Sequence, residues 1–384
     1  MAVSLVLLVG AGLLLQSFLK LRQVDPGFDP EGVIVSKVSL SSRAYPDNPS
    51  RVRYFQGLLD ELRDVPGVRF AGVTSTLPMD VAGIDFNLPY VAEGQPMRPE
   101  NELPELDYRI ISPGYLEAMG VEVVRGRSFT DLDRAETQRV IQINKTAAEQ
   151  FWPGQDPIGK SITIFYINNV PWEVVGVVKD TRHHALSTPA TAQFFVPLAQ
   201  AEYLFAYMTI VAKTEAGRAD VVDGMRAAAV RLDPKFPLYR IETAGDLMAD
   251  TIARDRFAAV LIGAFALLAL VLSAAGINGV VAYQVARRTR EIGLRMALGA
   301  ARANVLSDVV KGAVGMALGG IVLGLAGSFA ATRVLTGMLF VVTPLDVSTH
   351  VGVAALLLAV TVVASVVPAM RASSVDPVSA LRSD

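Results

Sequence analysis

The sequence predicts a membrane protein: four transmembrane α-helices carrying one large extracytoplasmic α+β domain. Three observations support that expectation. Of 384 residues, 52% are hydrophobic and only 19% charged, an apolar excess beyond that of an ordinary water-soluble domain. The excess sits in four runs, Ala2–Leu19, Phe257–Tyr283, Gly312–Thr332 and Val351–Met370, none of which contains Asp, Glu, Lys or Arg. A third observation is the arginine cluster between the second and third runs.

About 20 apolar residues at 1.5 Å rise cross a bilayer. The first run, 1–19, is slightly short, starts inside its own apolar stretch as though clipped upstream, and is flanked by Lys20-Leu21-Arg22 rather than a small-residue cleavage site. It therefore reads as an uncleaved anchor and not a signal peptide. The second run, 257–283, holds about a dozen Leu, Ile, Val and Phe residues, which favour insertion by about 4–8 kcal/mol and make Asn278 tolerable. The third and fourth are 312–332 and 351–370.

Short loops set orientation. The connection 284–311 carries Arg287, Arg288, Arg290, Arg295, Arg302 and Lys311 against Glu291 and Asp308, so it is expected in the cytoplasm. The linker 333–350 has Asp346 and no Lys or Arg beyond its first residue, Arg333, so it is expected outside, and Arg371 and Arg382 place the tail 371–384 inside. Residues 20–256 must then lie outside.

Residues 20–256 lack any long apolar run and read as α+β. Strands are expected at Val33–Leu40, Val68–Ser75, Tyr108–Ile111, Val121–Val124, Arg139–Ile143, Ile162–Ile167, Trp172–Val178 and Tyr207–Ala212. Helices are expected at Asn48–Arg63, Pro113–Met119, Lys145–Phe151 and Ala219–Leu232, with Gly245–Arg256 running straight into the second span.

Composition excludes several functions. Thirty-five Lys and Arg against 37 Asp and Glu give a net charge of -2, without the basic field of a nucleic-acid binder. With no cysteine, disulfides, thiolate metal sites and cysteine nucleophiles are excluded. Gly154-Gln-Asp-Pro-Ile-Gly159-Lys160-Ser161 matches the phosphate-loop pattern, but a helix precedes it and a strand follows, the reverse of a phosphate cradle. It reads as a structural turn. Adjacent His183 and His184 face opposite ways in extended chain and read as a surface turn rather than a metal site, with His350 at the mouth of the last span. Neither a cofactor nor a catalytic group is expected.

Gly315-x-x-x-Gly319 and Gly320-x-x-x-Gly324 offer small faces for helix packing with no partner named by the sequence. In Arg287–Arg302, Ile292, Met296 and Leu298 lie beside basic residues. Anchoring on anionic lipid needs only the arginines; docking into a cytoplasmic partner would also use Glu291 and the apolar residues. On residues alone both stand.

The segment Arg288-Thr-Arg-Glu-Ile-Gly-Leu-Arg-Met-Ala-Leu-Gly-Ala300 resembles the cytoplasmic loop signature of the MacB/FtsX-like ABC transporter permeases. Pro368-Ala-Met-Arg-Ala372 and Asp376-Pro-Val-Ser-Ala-Leu-Arg382 are similar to that family's ending, and Asp156–Lys160 resembles a turn of its MacB-type periplasmic core domain. Val24-Asp-Pro-Gly-Phe28 looks most like one half of a duplicated, acidobacterial-type permease. The resemblance implies a non-catalytic, multi-pass subunit of the bacterial inner (cytoplasmic) membrane, with its large domain periplasmic. It implies pairing with a second permease copy or sister half and ABC ATPase subunits that hydrolyse ATP on a separate chain, and leaves open a periplasmic adaptor. Such a subunit transmits ATPase movement to the periplasmic domain for export or mechanotransmission. FtsX-like members offer the alternative of a membrane regulator or scaffold acting on periplasmic partners without transport. Carried onto this chain, the resemblance makes Arg290, Glu291, Ile292, Arg295 and Met296 the ATPase-contacting residues.

Overall fold

The computed structural model of the chain describes residues 1–80, 86–166, 169–202, 205–215, 218–298, 301–335, 340–343 and 345–373. Its helices are α1 (Ala2–Arg22), α2 (Asn48–Arg63), α3 (Tyr115–Met119), α4 (Lys145–Phe151), α5 (Arg218–Leu232), α6 (Ala244–Arg287), α7 (Thr289–Ala297), α8 (Arg302–Leu335) and α9 (Val347–Ser373). Its strands are β1 (Val33–Ser39), β2 (Val68–Thr74), β3 (Asn87–Ala92), β4 (Glu105–Ile111), β5 (Val123–Gly126) and β6 (Val140–Asn144). They continue with β7 (Ser161–Ile164), β8 (Pro171–Val178), β9 (Gln193–Pro197), β10 (Tyr207–Thr214) and β11 (Tyr239–Thr243). By contacts the chain divides into an α+β unit, Val24–Ile252, and a helical unit made of the remainder.

In the α+β unit one continuous sheet does two things. Strands β4, β3, β7, β8, β6 and β9 pair in that order, and β9 returns to β4 in parallel, Asp107↔Gln193 through Ile111↔Pro197. The ring thus closes into a six-stranded barrel, which removes its edges. Trp172, Tyr108, Phe194, Ile141 and Ile162 are buried within the core of this unit. The remaining strands extend it as an antiparallel sheet, β11-β1-β10-β2, joined to the barrel where Thr74 meets Ile111.

Local chemistry sets these elements. Asp47 caps α2 by accepting Ser50 N–H at 2.8 Å, Pro49 preorganises its first turn, and Tyr54, Phe55, Leu58, Leu59 and Leu62 form the buried stripe. Asn144 caps α4 through Ala147 N–H at 3.0 Å and also accepts Gln193 N–H at 2.9 Å, tying β6 to β9. The Val24–Phe28 turn is held by Asp25, which accepts Gly27 N–H at 2.8 Å and pairs with Lys179 at 2.7 Å. Hydrogen bonding to Lys179 holds the Asp25 carboxyl below its usual range. Gly27 adopts φ +85°, and a Cβ there would lie 2.0 Å from the Asp180 carbonyl, so only glycine fits.

Among the described residues the helical unit contains four helices long and apolar enough to cross a membrane: Ala2–Arg22, Arg256–Arg287, Arg302–Ala331 and Val347–Arg371. Helix α1 is the best buried of the four; Leu5, Val9 and Leu13 pack with Ile321 of α8 and Val353 and Leu357 of α9. Helix α6 is one uninterrupted element that turns Phe257, Val260, Phe265, Leu268 and Leu272 outward. In water that surface would be untenable; in hydrocarbon it is the expected finish. Two polar contacts fix α6 among its neighbours: Ser4 Oγ donates to the Ala269 carbonyl at 3.1 Å, and Asn278 Nδ2 to the Ala364 carbonyl at 3.1 Å. Asp346 caps α9, accepting Thr349 N–H at 2.8 Å and the Ser348 and Thr349 hydroxyls, bonds that hold its pKa at about 2. Lys20 Nζ and Ser17 Oγ tie the end of α1 to Val341 and Phe340 of the α8–α9 linker.

The glycine motifs separate cleanly. A Cβ on Gly320 or Gly324 would approach Met1 Cβ at 2.9 Å or Leu5 Cβ at 2.8 Å, so this pair is the groove that seats α1, the partner the sequence left unnamed. Gly315 and Gly319 face open space. Gly324→Val is therefore expected to cost about 1–3 kcal/mol and to lower the melting temperature of the detergent-solubilised chain, whereas Gly319→Ala leaves it unchanged. Equal melting of both variants would contradict this packing.

Candidate functional site

Helix α7 begins where the hydrogen-bond ladder of α6 loosens. Arg288 N–H reaches back to both Gln284 and Val285 carbonyls at 3.2 and 3.1 Å, and the Thr289 hydroxyl donates to the Val285 and Ala286 carbonyls at 3.0 Å. Arg288, at φ -105° and ψ 11°, leaves helical geometry and lets α7 start as a separate short helix. At the far end Leu298 closes it, its N–H donating to the Leu294 carbonyl at 3.1 Å.

With 100° between successive residues, α7 has two faces. Ile292 and Met296 are half-buried and Gly293 is buried, so this stripe faces inward. Arg290, Glu291 and Arg295 are exposed, and between them stand Leu294 and Leu298, 51% and 82% exposed. The structure thus brings the five expected contact residues onto one short helix but splits them: three charged residues outward, Ile292 and Met296 inward. Leu294, which the sequence reading passed over, takes the outward apolar place with Leu298. Its i, i+4 relation to Leu298 was the available signal. Arg295 Nη2 bonds Glu291 Oε1 at 2.6 Å, and its Nη1 lies 3.6 Å from Asp308 Oδ2 on α8. Exposed i, i+4 pairs contribute only about 0.3–0.5 kcal/mol, so their main effect is to fix the guanidinium beside the leucines. Two exposed leucines ringed by fixed charges suit insertion into a groove. Of the family-like segment, Gly299 and Ala300 fall outside the described residues, as does Asp376–Arg382.

The phosphate-loop lookalike is a turn between α4 and β7. Its Gly159 N–H donates to the Val174 carbonyl at 2.9 Å, Lys160 N–H to Pro157 at 3.2 Å, and Ile158 N–H to Asp156 Oδ1 at 3.2 Å. Amides committed in this way do not converge on an anion. The Lys160 ammonium bonds Gln155 Oε1 and sits 5.2 Å from the Trp152 ring centroid.

The histidine pair requires a correction. It is not a surface turn: His184 is exposed, but His183 is 7% exposed, with the rings edge to face at 5.4 Å. The cause lies in the barrel end, where the His183 carbonyl accepts Met79 N–H at 2.7 Å and pulls the turn inward. Beside it lie Arg109 and Asp107, an ion pair at 3.4 Å, with Gln193 Nε2 3.4 Å from Asp107. Burial, then the Arg109 charge, depress the His183 pKa from 6.5 to about 2. Among the described residues no group of three His, Asp or Glu is placed to hold a metal.

Comparison with known proteins completes this picture. Residues 1–228 match the MacB-like periplasmic core domain and residues 263–377 the FtsX-like permease C-terminal domain. The chain belongs to the MacB/FtsX-like ABC transporter permease family: a membrane protein with a periplasmic α+β domain. It is 26% identical over 326 residues to the macrolide export ATP-binding/permease protein MacB of Marinobacter nauticus, covering 81% of this chain and 50% of that protein. To the uncharacterized ABC transporter permease YvrN of Bacillus subtilis it is 25% identical over 284 residues, 71% of this chain and 69% of that one. The chain spans about half the length of the first curated relatives it matches. Among solved structures, the periplasmic region of MacB from Actinobacillus actinomycetemcomitans aligns with a TM-score of 0.40 at 14% identity, over 61% of this chain and 98% of that one.

One pH effect follows. The unfolded chain protonates His183 below its ordinary value of 6.5 and the folded chain does not until about 2, so stability is full above 6.5 and falls with acidification, by up to about 1.4 kcal/mol per pH unit. In thermal melts between pH 6.5 and 4, His183→Asn is expected to flatten the loss; an unchanged slope would contradict the buried neutral imidazole.

Proposed function

We propose that the chain is the permease subunit of an ABC transporter of the bacterial inner membrane. In this reading residues 284–311 lie in the cytoplasm and α7 docks on an ATPase subunit carried by another chain. The observation that carries the proposal is the outward pair Leu294 and Leu298, held between Arg290, Glu291 and Arg295. Lipid anchoring would be satisfied by the arginines alone, and the fixed Glu291–Arg295 pair beside two bare leucines favours a protein groove. Relatives whose names join ATP binding to permease are matched over about half their length, which supports placing ATP hydrolysis outside the matched region.

Movement of α7 would pass into α8 through the Arg295–Asp308 contact and into α6 through the Arg288 junction. The apolar packing of α1 against α8 and α9, through Leu5, Val9, Leu13, Ile321, Val353 and Leu357, favours mechanotransmission to the periplasmic domain over a channel through one subunit. A second permease copy or sister half and two ATPase subunits complete the proposed assembly, with a periplasmic adaptor as a further partner.

Co-purification with a co-expressed candidate ATPase tests the docking. Leu294→Glu and Leu298→Glu are expected to reduce association by about tenfold or more, the loss of about 1.4 kcal/mol of binding free energy, with Glu291→Arg acting in the same direction. Ile292→Ala and Met296→Ala are expected to lower the melting temperature instead. Unchanged association and ATPase stimulation in both leucine variants would overturn the docking face.

A further inference from the structure

The periplasmic domain contains a cleft of about 720 Å³ that the permease reading does not use. That volume falls within the range of about 300–1,000 Å³ typical of small-ligand sites. One wall is the outer stripe of α2, where Arg53, Gln56, Asp60 and Arg63 follow helical spacing; the other is the 130–136 loop, presenting Asp131, Arg134 and Glu136. The floor is the 197–202 segment with Pro113.

The loop wall is preorganised by two buried side chains that themselves line the cleft, Gln200 and Asp133. Gln200, 3% exposed, donates through Nε2 to the Arg134 and Gln138 carbonyls at 2.9 Å and to Thr137 Oγ1 at 3.1 Å, and its Oε1 accepts Val140 N–H at 3.0 Å. Asp133, 6% exposed, binds Arg127 through both oxygens at 2.7 and 2.8 Å and accepts Thr130 N–H at 2.8 Å. These bonds and the Arg127 guanidinium hold the Asp133 carboxyl below its usual range although burial opposes them.

Charge in the cleft is unevenly spent. Arg63 pairs with Asp60 at 2.8 Å, and Arg139 pairs with Glu202. Arg53 and Arg134, and opposite in sign Asp131 and Glu136, make no ion pair within 4 Å among the described residues; Arg134 Nε donates to the Asp131 carbonyl at 3.0 Å, and Arg53 acts on Asp47 only through space. Among the described residues no aromatic ring lines the cleft, and they offer a nucleobase or a sugar face no stacking platform. Two carboxylates without an ion-pair partner disfavour a polyanion and two guanidiniums without one a polycation. Pro113, Pro197, Leu198 and Val52 give the cleft a modest apolar strip. From Arg53 to Arg63 the helix rises about 15 Å at 1.5 Å per residue, the length of about five extended residues.

We propose that this cleft binds a short free peptide of about five residues that carries both charges around small apolar side chains. Arg53 and Arg134 take its carboxylates, and Asp131 and Glu136 its amines. The site is independent of α7, so its failure leaves the docking face untouched.

Titration calorimetry on the full chain in detergent micelles tests the site with three probes, Glu-Ala-Ala-Ala-Lys, Glu-Ala-Ala-Ala-Glu and Lys-Ala-Ala-Ala-Lys. The mixed-charge peptide is expected to bind with a Kd of roughly 0.1–1 mM and the other two about fivefold more weakly or worse. Arg53→Glu with Arg134→Glu should weaken the mixed-charge peptide about tenfold. If that variant melts early, Arg53→Gln with Arg134→Gln should still weaken it about threefold. Absence of saturable binding, equal affinity for all three peptides, or undiminished affinity in the glutamine variant would each overturn the proposal.

Discussion

The architecture depends on the cost of placing charge or unpaired backbone in hydrocarbon. That cost restricts a spanning segment to a helix that satisfies its own amides and carries no ionised side chain. Among the described residues the chain meets the condition in four places, and two span side chains bond a neighbouring helix's backbone, Asn278 to Ala364 and Ser4 to Ala269. Interhelical bonds of this kind contribute about 0.6 kcal/mol on average and up to about 1–2. Fit supplies the rest: Gly320 and Gly324 leave room for Met1 and Leu5, and α1 fills it.

Against that apolar background α7 is an exception that carries information. Its charged residues are exposed, Glu291 and Arg295 fix one another, its inner stripe is half-buried, and its two outward leucines are exposed. A helix of nine residues is marginal on its own. The loosened junction at Arg288 and the Arg295–Asp308 contact give it an orientation relative to α6 and α8, which a helix docking as a coupling element requires. The periplasmic domain solves a different problem, the exposed strand edge. Six strands close into a barrel, and the outer stripe of α2 and the 130–136 loop frame the peptide-sized cleft.

Much of this was legible in the residues. Asn48–Arg63 and Lys145–Phe151 matched their helices to the residue, because Asp47-Asn48-Pro49 and Asn144 are caps whose side-chain oxygens have one good use. Strands β3, β9 and β11 escaped notice: Asn87–Ala92 contains Pro89 and Gln193–Pro197 is five residues buried on both faces, so neither shows alternation, and Tyr239–Thr243 carries Arg240 and Glu242 with no buried residue. Barrel closure by a parallel β4–β9 pair leaves no local trace at all. At the candidate site the segment was legible but its rotation was not. Ile292 and Met296 stand i, i+4 apart and so do Leu294 and Leu298, and only packing against neighbouring helices decides which pair turns inward. The burial of His183 likewise arises from a distant bond, Met79 N–H to its carbonyl, which adjacency in sequence does not reveal.

Sidedness is the claim on which the mechanism depends, and the absence of native cysteine makes it directly measurable. Single cysteines introduced as Met97→Cys in the periplasmic domain and Leu298→Cys at the end of α7 are both at exposed positions. With a membrane-impermeant maleimide on spheroplasts, the account predicts labelling at 97 in intact spheroplasts and at 298 only after permeabilisation. Labelling at 298 in intact spheroplasts, or protection at 97, would contradict it.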